Sequence, residues 1–290
     1  MNGIQHYTST HNWTLPPPMT SDEFDDIGSF IQSQFGIKMP PSKKTMLQSR
    51  LTKRLRAMNM TSYGQYREYL FSPAGMDQEV SFMIDVVTTN KTDFFREPSH
   101  FDLLQEVLLP LWLRQTGGRD VFNIWSAGCA TGEEPYTMAM VLNEFAEAEP
   151  DFRFSILGTD ISGEALQKAI QAIYRESRID GIPPDFKKKY LMRSRDRKQG
   201  LVRIIPELRS KITFQRLNLM GDFFSMVEKK DVIFCRNVII YFERPVQEAL
   251  FEKCCRCLNT GGYLFIGHSE TLSGMRLPLT QVRPTVYQKI

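Results

Sequence analysis

Three short stretches of the chain gather residue types suited to binding or chemistry. The first is Asn90-Lys91-Thr92-Asp93-Phe94-Phe95-Arg96, an amide, a hydroxyl, two rings and a guanidinium inside seven residues. Such a segment can fold over a pocket and supply stacking surface and a two-pronged donor for a carboxylate. It also has a plainer reading, in which Phe94 and Phe95 pack a helical domain onto a sheet and Arg96 meets a surface acid. The second stretch runs from Asp231 to Phe242. Its apolar start, Val232-Ile233-Phe234-Cys235, has the composition of a buried parallel strand, so Arg236 and Asn237 emerge at the carboxyl end, where open α/β sheets bind ligands. Tyr241 follows shortly after and suits the rim of a site; the plainer and less favoured reading of Arg236 is a strand-end charge. Asn218, after the preceding strand, belongs to the same edge.

The third stretch points to a ligand, beside a plainer reading in which any tight strand-to-helix turn uses glycines and strand ends carry acids by chance. Val121 to Trp125 opens into Ser126-Ala127-Gly128-Cys129-Ala130-Thr131-Gly132-Glu133-Glu134-Pro135, and a later strand, Phe152 to Leu157, ends at Gly158-Thr159-Asp160. Strand, small-residue loop, helix, strand and terminal acid form a layout that holds an adenosyl group. Dinucleotide loops use G-x-G-x-x-G, whereas here Gly128 and Gly132 are separated by three residues and glutamates follow. A pyrophosphate sits at a helix N-terminus, and Glu133 and Glu134 there would repel it. S-adenosyl-L-methionine, which carries no phosphate, fits better. Asp160 then suits the two ribose hydroxyls and rejects a 2′-phosphate.

These residues need a scaffold, and the periodicities supply one. Residues 21–95 read as helical: Phe24, Ile27, Phe30 and Ile31 recur at helical spacing after Ser21-Asp22, a candidate N-cap. Further helices are predicted over 42–58, 63–70 and 76–87, with a connecting helix over 98–114. In the second of these helices Leu47, Leu51 and Leu55 form an apolar seam, while Arg50, Lys53, Arg54 and Arg56 cover the rest. From Asp120 strands and helices alternate, the signature of a parallel sheet. Strands are expected at 121–126, 152–158, 212–217, 231–236 and 262–267, helices at 133–148, 162–173 and 244–258, and a closing hairpin from Leu277–Val282 and Thr285–Ile290. The interval before the strand at 212 is too long for a plain connection. Lys187–Arg193 and Leu201–Ile205, around the turn Ser194–Gly200, read there as a small inserted β-subdomain. The expected organisation is therefore a disordered tail over 1–20, a helical domain over 21–95, a linker helix over 96–118 and a sheet domain over 119–290, with the insert at about 178–211.

Composition narrows the function. The chain has 290 residues, 42% hydrophobic and 24% charged, and no apolar run near the ~20 residues that span a bilayer. The N-terminus lacks a basic-then-apolar export signal, which points to the cytoplasm. A net charge of +3 does not imply a nucleic-acid partner. Of the five cysteines, Cys254, Cys255 and Cys257 crowd one helix, but no second ligand pair stands at metal-like spacing, so no metal site is read.

Taken together, Asn90-x-Thr92-x-Phe94-Phe95-Arg96, the run Ser126–Tyr136, Phe234-Cys235-Arg236-Asn237-Val238-x-Ile240-Tyr241-Phe242 and Gly267-His268-Ser269-Glu270 resemble, in order and spacing, the bacterial chemotaxis-receptor glutamate methyltransferases. The resemblance spans residues 21–290. It implies a Rossmann-like class I methyltransferase sheet joined to an N-terminal all-helical domain, with a small antiparallel β-subdomain inserted. It implies transfer of methyl from S-adenosylmethionine to glutamate side chains on the cytoplasmic signalling helices of chemoreceptors, with S-adenosyl-L-homocysteine released. Carried over residue by residue, Asn90, Thr92 and Arg96 contact the cofactor or reaction centre, and Glu134 and Asp160 hold its methionyl and ribose parts. Gly128, Asn218 with Leu219, and Arg236 with Asn237 line the remainder. Arg96 is expected to orient the methyl acceptor or the cofactor carboxylate, Tyr241 to shape the path of the methyl, and Arg50, Lys53, Arg54 and Arg56 to dock the acidic substrate. Some members of the family grip a receptor C-terminal tail through the β-subdomain. Here the turn Ser194–Gln199 is charged and has no glycine before Gly200, a departure that speaks against tail binding.

Overall fold

Alternation at two periods, helical before residue 120 and mixed after it, yields two compact units in the computed structural model, which describes residues 13–221 and 228–290. One unit takes in 39–87 and the chain up to Gln32, and the other takes in Ser33–Lys38 and Thr88–Ile290.

The first unit is built from α1 (Ser21–Phe35), α2 (Lys44–Ala57), α3 (Tyr63–Leu70), α4 (Pro73–Gln78) and α5 (Val80–Val87). The cap of α1 is Thr20 rather than Ser21-Asp22. The Thr20 Oγ1 accepts from the Glu23 N–H and Glu23 Oε2 accepts from the Thr20 N–H, a reciprocal capping box. Leu47, Leu51 and Leu55 are fully buried, as their seam requires. The helix expected over 76–87 is two helices meeting at Glu79, whose carboxylate is turned into the core. Of the tail expected to be disordered, residues 1–12 lie outside the described residues, and residues 13–20 form no helix or strand but are held. Trp13 Nε1 donates to the Met60 carbonyl at 2.9 Å, and Met19 is buried.

In the second unit, α6 (Ser99–Leu103) continues through a widened turn, Leu104–Leu108, into α7 (Leu109–Thr116). The Leu109 N–H reaches back to Leu104 O, five residues away, just ahead of Pro110, which has no N–H to offer. The chain then passes through β1 (Val121–Ala127), α8 (Glu133–Ala148), β2 (Arg153–Asp160) and α9 (Gly163–Gln171). The insert follows, with β3 (Ile173–Arg175), α10 (Pro184–Tyr190), β4 (Leu191–Arg193) and β5 (Leu201–Ile204), and leads into α11 (Pro206–Arg209). Next come β6 (Ile212–Arg216), β7 (Lys230–Phe234), α12 (Arg244–Cys257), β8 (Leu258–Phe265), β9 (Leu279–Arg283) and β10 (Val286–Lys289).

The large sheet has the order β6-β2-β1-β7-β8-β10-β9; β6 to β8 run parallel, and β10 and β9 close the edge antiparallel. Both faces are covered, so side chains alternate between two cores: Val232 and Phe234 belong to one, Ile233 and Cys235 to the other. The chain moves outward from β1 through β2 to β6 and then returns to β7 beside β1, which makes the β1/β7 boundary the switch point of the sheet. The insert is a three-stranded sheet, β3-β5-β4, rather than a hairpin. Its first strand starts before the expected boundary at 178, and residues 187–190, expected as strand, are helical. Pro184 in the first turn starts that helix with φ already set.

Candidate active site

The loop after β1 is closed on itself. The N–H groups of Gly128 and Cys129 both donate to Thr159 O, at 2.8 and 2.9 Å, and that of Gly132 donates to Cys129 O. The Ala130 N–H donates to Asp160 Oδ2 at 2.8 Å, and the other Asp160 oxygen accepts from Ser162 N–H. Asp160, 8% exposed, is thus the staple that holds the loop to the end of β2. The first glycine has a steric reason as well: at φ +86° a Cβ on Gly128 would stand 2.5 Å from Val238 Cγ2, at the end of β7.

Glu133 and Glu134, adjacent in sequence, part company at the start of α8. Glu133 is buried, accepts from Thr131 Oγ1 and faces Arg178 at 3.5 Å. Glu134 accepts from Ser126 Oγ at 2.6 Å and lies 3.3 Å from Arg236 Nη1, with 15% of its side chain exposed. Burial pushes the Glu134 carboxyl upward, against the opposing pull of Arg236 and the Ser126 hydroxyl.

Arg236 is the centre of the site, with 1% of its side chain exposed. Its Nη2 donates to the Arg96 carbonyl at 2.5 Å and stands 3.1 Å from Glu97 Oε2. The guanidinium lies over the rings of Phe101 and Phe234, each 5.6 Å away. Among the described residues its Nε and Nη1 make no hydrogen bond, an uncommon state for a buried cation. Burial would raise the Glu97 carboxyl, yet Arg236 and the His268 N–H hold it below the usual range. His100, beside it, is pushed down to about 4 by burial and by Arg236, and so stays neutral at physiological pH.

The segment 88–97 divides along its two readings. The rings pack: Phe94 is 3% exposed and edge-on to Tyr174, and Phe95 meets Phe101 and Phe186. Arg96 keeps a half-buried guanidinium, 3.4 Å from Lys91 O and close enough to lower the Glu134 carboxyl. Thr92 is buried, and Asn90 is half-buried. Arg178, from the insert, bonds Thr92 O at 2.5 Å and pairs with Asp93 and Glu133, tying this segment to α8. Four non-glycine residues in these loops are left-handed, Phe95 at φ +53°, Glu97 at +58°, Ala130 at +48° and Asn237 at +58°. Left-handed backbone is uncommon outside glycine, and such strain gathers at functional sites.

On the far side, Asn218 Nδ2 donates to Gln34 O and its Oδ1 accepts from Met220 N–H, so its amide shapes the loop. Leu219 and Tyr241 pack partly buried against the second core, and Tyr241 O accepts from Lys38 N–H. Glu270, quoted in the sequence only as part of a motif, accepts from the N–H groups of Asn237, Ile239 and Gly267, at 2.9, 3.0 and 2.6 Å. The geometry thus brings Glu134, Asp160, Arg96, Arg236 and Asn237 to one sheet edge and adds Glu97, Ser126, Arg178 and Glu270, which sequence reasoning missed. Ser126, Glu97 and Glu270 carried a signal, since Ser126 and Glu270 lie inside motifs and Glu97 adjoins one; Arg178 carried none.

The basic face of α2 changes in composition. Arg54 is not free to dock a partner: Nε and Nη2 form a two-pronged bond to Glu79 at 2.7 and 2.6 Å, and Tyr66 OH donates to the same carboxylate. The Arg50 Nη1 bonds Val87 O. Lys53 and Arg56 are the exposed members.

Comparison with known proteins agrees with this layout. The family described as CheR methyltransferase, SAM binding domain, matches residues 90–288, and the CheR methyltransferase all-alpha domain matches residues 22–88. The chain is 37% identical over 285 residues to the chemotaxis protein methyltransferase of Borreliella burgdorferi, covering 97% of this chain and 99% of that one. It is 35% identical over 269 residues to the chemotaxis protein methyltransferase of Escherichia coli, covering 93% of this chain and 91% of that one. With both domains matched and relatives aligned over nearly their full length, the chain belongs to the CheR methyltransferase family, the S-adenosylmethionine-dependent methyltransferases of chemotaxis.

Proposed function

We propose that the edge between β1 and β7 holds S-adenosylmethionine and presents its methyl to glutamates on the cytoplasmic signalling helices of chemoreceptors. The chain is a protein-glutamate O-methyltransferase. The supporting observation is the loop after β1, whose amides at Gly128, Cys129, Ala130 and Gly132 are already engaged by Thr159 O, Asp160 and Cys129 O. Few donors are left there for a phosphate, and the acids nearby suit a sulfonium and ribose hydroxyls. The Gly128 cradle, the Glu134 and Asp160 carboxylates and the unmatched donors of Arg236 fit that ligand. When bound, it supplies an electrophilic methyl group on positively charged sulfur.

In this reading Asp160 accepts from the ribose hydroxyls, and Glu134 takes the methionyl ammonium. Asn90, Thr92, Leu219, Asn218 and Asn237 line the site. Arg236, clamped by Glu97 and Glu134, offers its unmatched face to a carboxylate. Arg96 orients the acceptor carboxylate, and Tyr241 narrows the approach. A glutamate with a reference pKa of about 4.3 is already ionised, so no general base is required. The contribution of the protein is alignment, which can remove roughly 7–11 kcal/mol of barrier in the best cases. Lys53 and Arg56 on α2 attract the acidic receptor helix. No helix among the described residues is long and apolar enough to cross a membrane, and we place the enzyme in the cytoplasm. The test is transfer of labelled methyl from S-adenosylmethionine to receptor-containing membranes, read as base-labile methanol. Absence of receptor ester in the presence of bound donor would overturn the assignment.

A further inference from the structure

A separate cluster lies in the sheet unit, beside Arg236. Glu97 Oε2, His100 Nδ1 and His268 Nε2 fall within 4.8 Å of one another, with the carboxylate oxygen 3.6 Å from His100 and 3.8 Å from His268. His100 Nε2 lies 2.8 Å from the Thr285 hydroxyl, which also lies 2.7 Å from Pro284 O, and His100 Nδ1 stands 3.6 Å from Glu97 Oε2. His100 is 3% exposed, and neither atom has a hydrogen-bond partner among the described residues. A buried polar atom without a hydrogen-bond partner is costly, and a cation held between His100 Nδ1 and Glu97 Oε2 relieves that cost. The ring of His268, 53% exposed, provides a third donor and a way in from solvent.

We propose that Glu97, His100 and His268 bind a borderline divalent transition metal of the zinc class and that its entry opposes cofactor binding. Two imidazole nitrogens and one carboxylate oxygen are a zinc donor set, unlike the all-oxygen shells of calcium or magnesium. Bonds of about 2.0–2.1 Å in a tetrahedron separate donors by about 3.3 Å, so side-chain rotation must close gaps of 3.6 and 3.8 Å and a third separation of no more than 4.8 Å, which the exposed His268 ring can do. The Thr285 hydroxyl fixes the His100 ring from behind, as outer partners of metal-bound histidines do. Arg236 Nη2 stands 3.1 Å from the same Glu97 oxygen, so a metal and this guanidinium must share one carboxylate. Metal uptake therefore loosens Arg236 and, by reciprocity, bound cofactor weakens the metal.

The test uses the full chain, treated with chelator and titrated without methyl donor, with Zn²⁺ by calorimetry and Co²⁺ by absorption. One equivalent is expected, with visible cobalt bands of nitrogen and oxygen coordination and no sulfur-to-metal charge-transfer band. His268→Ala, a substitution at an exposed side chain, and Glu97→Gln should each weaken binding by about tenfold or more. Zn²⁺ should lower the affinity of the wild type for S-adenosylhomocysteine, and that effect should vanish in His268→Ala. No uptake, affinity unchanged in His268→Ala, or a sulfur band placing the ion on cysteines overturns the site. Uptake that leaves S-adenosylhomocysteine affinity unchanged overturns the antagonism. The metal titration stands independently of the methyl-transfer assignment.

Discussion

Arg54 and Arg236 are both enclosed arginines facing carboxylates, one in each compact unit, and their surroundings differ in kind. Arg54 meets Glu79 through two parallel hydrogen bonds, Tyr66 satisfies the carboxylate further, and the ring of Phe82 covers the guanidinium at 4.6 Å. Its pKa is raised by the hydrogen bond to Glu79, as a well-made pair requires. Arg236 is shared between Glu97 and Glu134 at 3.1 and 3.3 Å, with two nitrogens left without a hydrogen bond. Burying a charge is costly unless its bonds are made. Where every bond is made, the pair defines packing. Where bonds are withheld, as at Arg236, the proposed ligand supplies them, and the left-handed residues in the loops around Arg236 accord with that proposal.

Substitutions can break or sharpen that contrast. Arg54→Ala strands Glu79, whose side chain is 3% exposed, and should cost about 3–5 kcal/mol in denaturant unfolding. Replacing both partners with apolar residues should recover most of that loss, and no recovery would sink the structural role. Arg96→Ala should lower methyl transfer by about 10²–10³-fold, roughly 2.7–4 kcal/mol, as loss of one positioned donor does elsewhere. Its unfolding midpoint should stay close to wild type, and near-normal labelling of receptor glutamates would refute the role. Arg236→Met should weaken cofactor binding by at least about tenfold, 1.4 kcal/mol, in calorimetry. Its stability loss should be smaller than that of Arg54→Ala, since fewer bonds are broken; the reverse order would erase the distinction. Charge reversal at Lys53 and Arg56 should slow receptor methylation by a few-fold, about 1 kcal/mol or less, more strongly at low salt. Cofactor affinity should not change, and equal effects on both would remove the docking face.

Legibility follows the range of the interactions. Helix α8 was expected over 133–148 and spans Glu133–Ala148, because an apolar face and Pro135 in the first turn are local signals. The strands leading to Gly128, Asp160 and Arg236 are expected from their apolar runs and observed within about two residues of the expected bounds. Residues 187–190 misled because Lys187, Lys188 and Lys189 carry no periodicity, and Pro184 started a helix instead. The basic stripe of α2 was visible, but not that Arg54 is consumed by a glutamate 25 residues on.

Local chemistry in the chain showed the two-part organisation and the parallel sheet and pointed to a phosphate-free adenosyl ligand, which the four motifs together made specific, because periodicity, turn residues and charge act between near neighbours. Folding alone decided which ionic groups are satisfied. Arg236 meets the Arg96 carbonyl across 140 residues, and Glu97 joins His268 across 171. The sequence lists those residues but leaves their pairing open, and the pairing decides between a strut and a site.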